Sequence, residues 1–224
     1  EDTFVENRKL VVDDEHAAHV RWIFTRFLEI GSCTELAREV GTRGIQTQLR
    51  KLSNLADDLL RDLWHLAGLP DHLSLVAVGG FGRGKLFPHS DIDVLVLLPD
   101  GTDLEHEAPL RTRIEHFIGS CWDAGLEIGS SVRTVVQCIT EARADVTVQT
   151  AMLESRRITG SAPLYRQFQS ALDQAIRPDA FVVAKVLEMQ QRHNKYENTA
   201  YSLEPNCKES PGGLRDLQTI IWLG

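Results

Sequence analysis

Two aspartates separated by a single residue, Asp91 and Asp93, are the strongest chemical signal in the sequence. They open an apolar run at 91–98 that predicts a β-strand, and alternate residues of a strand point to the same face. The two carboxylates therefore share one face, while Ile92 and Val94 point into the core. Adjacent carboxylates repel each other unless a cation lies between them, and oxygen ligands of this kind suit Mg²⁺ bridged to substrate phosphates.

A glycine-rich turn precedes this strand and follows an earlier predicted strand at 73–78. It contains Gly79, Gly80, Gly82 and Gly84. Glycines allow positive φ angles and let a phosphate approach main-chain N–H groups closely. Arg83 and Ser90 lie in the same span, and a guanidinium can grip phosphate oxygens bidentately. A phosphate cradle followed closely by a metal-binding Asp-x-Asp predicts a nucleoside triphosphate site.

Other nucleotide motifs fit this stretch less well. Gly79, Gly84 and Lys85 match the P-loop spacing G-x-x-x-x-G-K. However, Leu86 stands where the metal-binding Ser or Thr belongs, and Pro88 follows where a helix should begin. The dinucleotide fingerprint G-x-G-x-x-G fails because its third glycine would fall at Lys85. A plain turn with surface aspartates would account for Asp-x-Asp but not for the glycines, arginine and serine together.

These residues resemble the nucleotidyltransferase signature of the DNA polymerase β-like superfamily, through GGFGRG at 79–84 and PHSDID at 88–93. Three further stretches are similar to the N-terminal domain of the bacterial PII uridylyltransferase/uridylyl-removing enzyme family. They are GLEIGSSVRT (125–134), ADVTVQTAMLESRRITG (144–160) and YSLEPNCKESPGGLRDLQTIIWL (201–223). The resemblance covers most of the chain from Leu73 onward, and its last stretch is specific to that family.

The resemblance implies a metal-dependent transferase that moves UMP from UTP to a tyrosine hydroxyl of the PII signalling protein and releases pyrophosphate. Asp91 and Asp93 would hold Mg²⁺ or Mn²⁺. A different protein or small-molecule hydroxyl as acceptor stays open, as does a degenerate module that senses NTP without transfer. The intact aspartate pair weighs against a pure sensor.

A third carboxylate is usual in this superfamily, yet the matching strand around 131–133 carries no acid. Asp145 is the first substitute as a catalytic residue and Glu127 is the second. Asp145 also precedes a helical run, where Asp is a common N-cap. The sequence leaves both roles of Asp145 open.

Several further residues are candidates to bind the nucleotide. Arg83 and Arg133 are expected to contact the β- and γ-phosphates, and Ser90 to bond a phosphate oxygen or cap the turn. A second glycine turn at 210–213, ahead of a helix, is flanked by Asn206, Lys208 and Arg215. Helix starts favour anions, so this segment is expected to close over the nucleotide.

Two histidines, His89 and His193, are interpreted as structural because no orienting acid pairs with either in the sequence. The chain contains no His-Asp dipeptide, so the phosphohydrolase and regulatory domains of the resembled family are expected beyond Gly224. Because the chain starts at Glu1 rather than Met, we expect a fragment of a longer protein.

Apolar periodicity predicts the elements that must position these residues. Strands are expected at 73–78, 91–98 and 132–138, and helices at 16–30, 45–67, 104–124, 144–157, 163–176, 178–193 and 214–223. The fold class is α/β (α+β), and the resemblance implies a polymerase β-like core with a short mixed sheet. We expect an N-terminal helical region at 1–70, a nucleotidyltransferase core at 71–160 and a C-terminal helical region at 161–224.

Composition narrows the possible partners. The chain has 224 residues and a net charge of −8, which argues against a sequence-independent grip on nucleic acid. No apolar run is long enough to cross a bilayer, so no membrane partner is expected. The four cysteines show neither C-x-x-C pairing nor zinc spacing, which favours reduced thiols in a cytoplasmic protein.

Overall fold

The computed structural model describes residues 3–6, 9–12, 25, 29, 45–87, 90–199 and 206–223. The chain divides into two compact units, Glu1–Leu52 and Ser53–Gly224. In the first unit, β1 (Thr3–Glu6) and β2 (Lys9–Val12) pair as an antiparallel hairpin. The helix predicted at 16–30 lies outside the described residues apart from Thr25 and Glu29.

Four strands of the second unit form one sheet in the order β5-β4-β3-β6. They are β3 (Ser74–Ala77), β4 (Ile92–Leu98), β5 (Ile128–Thr134) and β6 (Arg156–Gly160). β3 is antiparallel to both β4 and β6, whereas β4 and β5 run parallel. The predicted mixed α/β core with a short mixed sheet is confirmed.

Eight helices are described. They are α1 (Ile45–Leu66), α2 (Gly79–Gly82), α3 (Ala108–Asp123), α4 (Val135–Ala144), α5 (Val146–Leu153), α6 (Ala162–Ala175), α7 (Pro178–Asn194) and α8 (Leu214–Leu223). The prediction of α1 is confirmed almost to the residue, because Gly68 ends it with φ +64. α6, α7 and α8 also match their predicted ranges closely.

Alternating side chains give the sheet two apolar faces. On one face Val94 and Val96 pack with Trp64 of α1 and Phe117 of α3, whose rings meet edge to face at 5.5 Å. On the other face, residues such as Leu95 contact the core formed by α4, α5 and α6. Asp93 lies at the end of this second face, so the apolar neighbours on its own strand fix its direction.

The predicted strand at 132–138 is wrong in its bounds. β5 ends at Thr134, whose side chain accepts a bond from the backbone in a capping box that starts α4. The β-branched residues that suggested a strand continue into this helix, where Val135, Cys138 and Ala142 are buried at helical spacing. The cap thus overrides strand propensity.

The single helix predicted at 144–157 is also wrong at its C-terminal end. α5 stops at Leu153, and the following residues turn into β6, the edge strand beside β3. Ile158 is buried on the sheet, while its neighbour Arg157 is exposed. Pairing with β3 therefore decides this segment, against its helix-like composition.

Two cysteines of the core, Cys121 and Cys138, are free and buried. Burial raises the pKa of Cys121 to about 11 and that of Cys138 to about 12. Neither therefore carries the thiolate character of a reactive cysteine. Within the described ranges, the helices are all too short or too polar to cross a bilayer.

Candidate functional site

The aspartate pair lies at the start of β4. Asp91 is exposed and immediately precedes the strand, while Asp93 is half-buried within it. The backbone N–H of Val78 donates to the carbonyl oxygen of Asp93 at 3.0 Å, which aligns the end of β3 with this position. The glycine turn that follows Val78 therefore begins beside the Asp93 carboxylate.

Electrostatics mark Asp93 as a place where positive charge is favoured. Burial raises the pKa of its carboxyl group, the negative charge of Asp91 raises it further, and the ammonium of Lys208 opposes both. The ionised form of Asp93 is disfavoured by burial and by Asp91, so a cation close to the carboxylate stabilises it. Lys208 comes from the C-terminal segment, more than a hundred residues later in the chain.

Two glycines make room for the Asp93 carboxylate. The parallel register pairs Asp93 with Gly129 of β5, and a Cβ on Gly129 would lie 2.4 Å from Asp93 Oδ1. Gly79 approaches from the other side with φ +56, and a Cβ there would lie 3.6 Å from Asp93 Oδ2. Gly129 is thus needed for the position of the acid, and a side chain there would displace it.

The glycine turn consists of the single helical turn α2 and the two residues after it. Gly82 packs directly against α5, since a Cβ there would lie only 1.8 Å from the carbonyl oxygen of Glu154. Gly84 has φ +69, and Phe81 is buried. The guanidinium of Arg156 lies 5.4 Å from the centre of the Phe81 ring. The turn is therefore a packed structure with a fixed position.

Arg83 is already engaged by a carboxylate. Its Nη1 donates to Oε2 of Glu154 at 2.5 Å, while a Cβ placed on Gly80 would lie 3.4 Å from its Nη2. One edge of the guanidinium thus faces Glu154 and the other lies over the glycine turn. The predicted contact of Arg83 with phosphates is compatible with that second edge only.

Ser90 lies between the turn and the aspartates. Its backbone N–H donates to the carbonyl oxygen of Phe87 at 3.1 Å, which closes a turn, and the residue is exposed. This backbone bond agrees with the turn role considered for Ser90 in the sequence, and its phosphate contact stays a prediction. Pro88 and His89 lie outside the described residues.

The C-terminal segment 206–213 folds into a self-bonded loop. The side-chain oxygen of Asn206 accepts from the backbone N–H groups of Lys208 and Glu209 at 3.0 and 2.9 Å. The N–H of Gly213 donates to the carbonyl oxygen of Ser210 at 2.8 Å. These bonds hold Lys208 on a defined loop near Asp93.

Asp216, in the first turn of α8, anchors this loop. Its carboxylate accepts from Gly212 N at 2.7 Å and from Arg192 Nη2 at 2.6 Å, and it lies 3.0 Å from His193 Nε2. Burial works against ionisation, but these hydrogen bonds outweigh it and lower the pKa of Asp216. The interpretation that His193 lacks an orienting acid is therefore wrong, because Asp216 is distant in sequence and adjacent in space.

Two predicted site residues, Arg133 and Asp145, lie apart from the aspartates. Arg133 is four residues beyond Gly129 on β5, about 13 Å along the strand. Asp145 is exposed and caps α5 by accepting from Thr147 N at 2.6 Å. α5 has 8 residues, so its capped end lies about 12 Å from the end that meets the glycine turn.

Of the remaining two candidates, Arg215 lies in the C-terminal segment and Glu127 lies beside the sheet. Arg215 bonds the carboxylate of Glu209 within the C-terminal segment, at 3.3 Å. Glu127 immediately precedes β5, and its carbonyl oxygen accepts from the N–H of Ile92 at 3.3 Å. Glu127 thus lies at the same end of the sheet as the aspartate pair, unlike Asp145.

Sequence reasoning missed Gly129 and Glu154. Gly129 lies outside the strand predicted at 132–138, so its close approach to Asp93 follows only from the observed pairing of β4 with β5. Glu154 carried no signal, since it stood inside a predicted helix.

The donor set at this end of the sheet is a carboxylate pair, one member of which packs between two glycines. Across the described ranges, no cluster of three or more His, Cys, Asp or Glu side chains could hold a metal ion. A pair of oxygen ligands suits a cation that keeps several waters and shares substrate phosphates. The arrangement fits Mg²⁺ brought in together with a nucleotide.

Comparisons with known proteins bear on the same region. A family profile described as a nucleotidyltransferase domain matches residues 58–146, which include the aspartate pair and Gly129. A profile described as GlnD PII-uridylyltransferase matches residues 180–224, which include Lys208. The ammonium of Lys208, from the second matched region, lowers the pKa of Asp93 in the first, so both regions act on this carboxylate.

Among individual proteins, enzymes described as "bifunctional uridylyltransferase/uridylyl-removing enzyme" from Burkholderia mallei and Burkholderia thailandensis are each 60% identical over 188 residues. The match covers 84% of this chain and 21% of those proteins, so the chain spans about a fifth of their length. A solved toxin–antitoxin structure with AMP-PNP is a weak likeness, with a TM-score of 0.29 at 16% identity over 65% of this chain and 95% of that chain.

Proposed function

We propose that this chain, which belongs by sequence to the bifunctional uridylyltransferase/uridylyl-removing enzyme family, transfers UMP from UTP to a tyrosine hydroxyl of the PII signalling protein. The observation that carries the proposal is the aspartate pair Asp91 and Asp93 beside the glycine turn, within the nucleotidyltransferase match. Both the activity and the partner are inferred from relatives that are about four times as long as this chain.

In the proposed reaction the tyrosine oxygen attacks the α-phosphorus of UTP, a P–O bond forms to the protein, and the bond to pyrophosphate breaks. The hydroxyl proton leaves to a base, for which Glu127 is the better placed of the two candidate acids. Positioning and charge neutralisation supply most of the rate in phosphoryl chemistry. The chain would provide the glycine turn for the phosphates and Lys208 as a fixed positive charge.

Mg²⁺ or Mn²⁺ would be held by Asp91 and Asp93. When bound, such an ion neutralises phosphate charge and orients the triphosphate. The raised pKa of Asp93 supports this role, because a cation relieves the repulsion between the two carboxylates. Asp93 is half-buried on β4 between two glycines, whereas Asp91 is exposed just before the strand.

Isotope labelling tests the proposal. UTP labelled at the α-phosphate should leave label on PII, and UTP labelled at the γ-phosphate should leave none and release labelled pyrophosphate. A kinase would give the reverse, because the γ-phosphoryl group would be transferred. Label on neither would leave only nucleotide sensing, and label on a different protein would change the acceptor.

A further inference from the structure

Glu154, which directly follows α5, links the glycine turn to the C-terminal helix. Its Oε2 accepts from Arg83 Nη1 at 2.5 Å, and its Oε1 accepts from Trp222 Nε1 at 2.8 Å. The Glu154 side chain is only 13% exposed. Both oxygens of one largely buried carboxylate therefore bind donors from two different parts of the chain, which is more than a surface ion pair requires.

Trp222 is itself held in place. The ammonium of Lys185 lies 4.4 Å from the centre of the Trp222 ring and donates to Glu188 at 2.7 Å. The Lys185 side chain is 3% exposed, so this cation–π contact is desolvated and stronger than a surface one. The indole N–H is thereby aimed at Glu154 by the packing of α8 on α7.

Arg83 is the last residue in this series of contacts. A guanidinium is planar and rigid, so fixing one edge fixes the direction of the other. With Nη1 on Glu154, Nη2 lies over Gly80, where a side chain would crowd it. The second edge is thus presented to the space above the glycine turn, where the proposed site holds the triphosphate.

We propose that Glu154 is a positioning residue that orients Arg83 toward the nucleotide phosphates, and that docking of α8 through Trp222 sets the affinity for UTP. This inference rests on the proposed nucleotide site. The order of contacts runs from Lys185 through Trp222 and Glu154 to Arg83. A change in the packing of α8 would therefore change the affinity for the triphosphate.

The test uses the whole chain and UTP with Mg²⁺, with the dissociation constant measured by titration calorimetry alongside KM and kcat. Trp222→Phe keeps a ring over Lys185 but removes the donor to Glu154. We expect the dissociation constant for UTP and the KM to rise about tenfold, as for the loss of one charge-assisted hydrogen bond. The kcat should stay within about twofold of the wild-type value. The matched control Trp122→Phe, on an exposed position of α3, should change neither.

A double-mutant cycle separates positioning from general structure. In an Arg83→Ala background, Trp222→Phe should weaken UTP binding no further, because its effect runs through Arg83. Additive losses, or an unchanged dissociation constant in Trp222→Phe with an unchanged melting temperature, would overturn the inference. Tighter binding would also overturn it, since Glu154 would then compete with the phosphates for Arg83.

Glu154→Gln provides a second variant should Trp222→Phe not fold. It keeps an acceptor for the indole, removes the charge facing Arg83, and should weaken UTP binding by about tenfold or more. The two proposals fail in different ways. A wild-type chain that binds UTP but transfers no α-label contradicts the transferase function, and the calorimetric results still decide the role of Glu154. A wild-type chain that binds no UTP contradicts both.

Discussion

The two glycine turns, at 79–84 and 210–213, look alike in sequence but are built for different purposes. In the first, Gly79 leaves space beside the Asp93 carboxylate, and above Gly80 the neighbouring group is a side chain, Arg83. In the second, a Cβ on Gly213 would meet three carbonyl oxygens of the same loop at 2.8 to 3.1 Å. The first turn leaves space beside charged side chains, as the proposed triphosphate site requires, whereas the second turn closes on itself and presents Lys208.

This difference shows what a glycine signal can and cannot indicate. Glycine in both turns permits close approach, but only the identity of the approaching group separates a binding cradle from a compact loop. At Gly79 and Gly80 of the first turn charged side chains approach, whereas Gly82 packs against the backbone of Glu154. At the second turn the approaching groups are backbone atoms, so its glycines support the loop rather than the chemistry.

The largest effect should follow from the acid that the first turn accommodates. Asp93→Asn should lower turnover by at least about a thousandfold, because removing one ligand of a charge-neutralising cation costs several kcal/mol at the transition state. Steady-state transfer of α-label from UTP measures it. Asp216→Asn, which loosens the anchor of the second turn, should lower turnover less than Asp93→Asn does.

The same variant makes a prediction about stability. A raised pKa in the folded state means that the native protein binds the Asp93 proton more tightly, so ionisation destabilises the fold as pH rises through that pKa. At pH 8 without metal, Asp93→Asn should therefore melt at the same temperature as wild type or higher. A clear drop in melting temperature would show that the carboxylate stabilises the fold.

The next effect concerns packing of the first turn. Gly82→Ala places a Cβ 1.8 Å from the carbonyl oxygen of Glu154, a backbone atom that cannot move alone. We expect a loss of about 3 kcal/mol in the free energy of unfolding, at the upper end for overpacking. Gly213→Ala, whose contacts are longer, should cost less. Chemical denaturation of both variants checks the order, which would reverse if the second turn were the tighter one.

Gly129→Ala should separate chemistry from fold. The added methyl group would lie 2.4 Å from Asp93 Oδ1, the end of a side chain that can rotate away. Turnover should fall about a hundredfold, since a displacement of about 1 Å at a reacting centre has this effect, while stability changes by less than about 1 kcal/mol. Gly119→Ala, in open space on α3, is the control and should keep full turnover.

The smallest effect is expected at Asp145, at the end of α5 away from the first turn. Asp145→Ala removes the acceptor for Thr147 N and should cost about 1 kcal/mol of stability with turnover kept. Thermal melting and turnover on the one variant decide between cap and catalyst. A large loss of turnover at unchanged stability would restore the catalytic role and remove the preference for Glu127.

Local patterns were sufficient for the parts of the site that are local. The apolar run at 91–98 predicts β4, strand geometry puts both aspartates on one face, and the glycines before the run predict the turn. Gly129 escaped because its importance depends on the register of β4 against β5, which no local pattern states. Glu154 escaped because its partners Arg83 and Trp222 are 71 and 68 residues away.

The same limit explains the errors in the fold. Thr134 and Gln137 form a capping box that a β-branched run concealed, so β5 was placed too late. β6 has no regular alternation and becomes a strand only because β3 offers an edge. Conversely, the prediction of α1 is accurate because both of its signals, the apolar stripe and the terminal Gly68, are local in the sequence.

The edge position of β6 has a consequence for how the chain is made. Ser74 on β3 bonds Thr159 on β6 across 85 residues, so a growing chain presents the β3 edge long before its cover is synthesised. An uncovered strand edge is a template for pairing with other chains. A nascent chain halted before β6 would therefore expose an aggregation-prone edge next to the glycine turn.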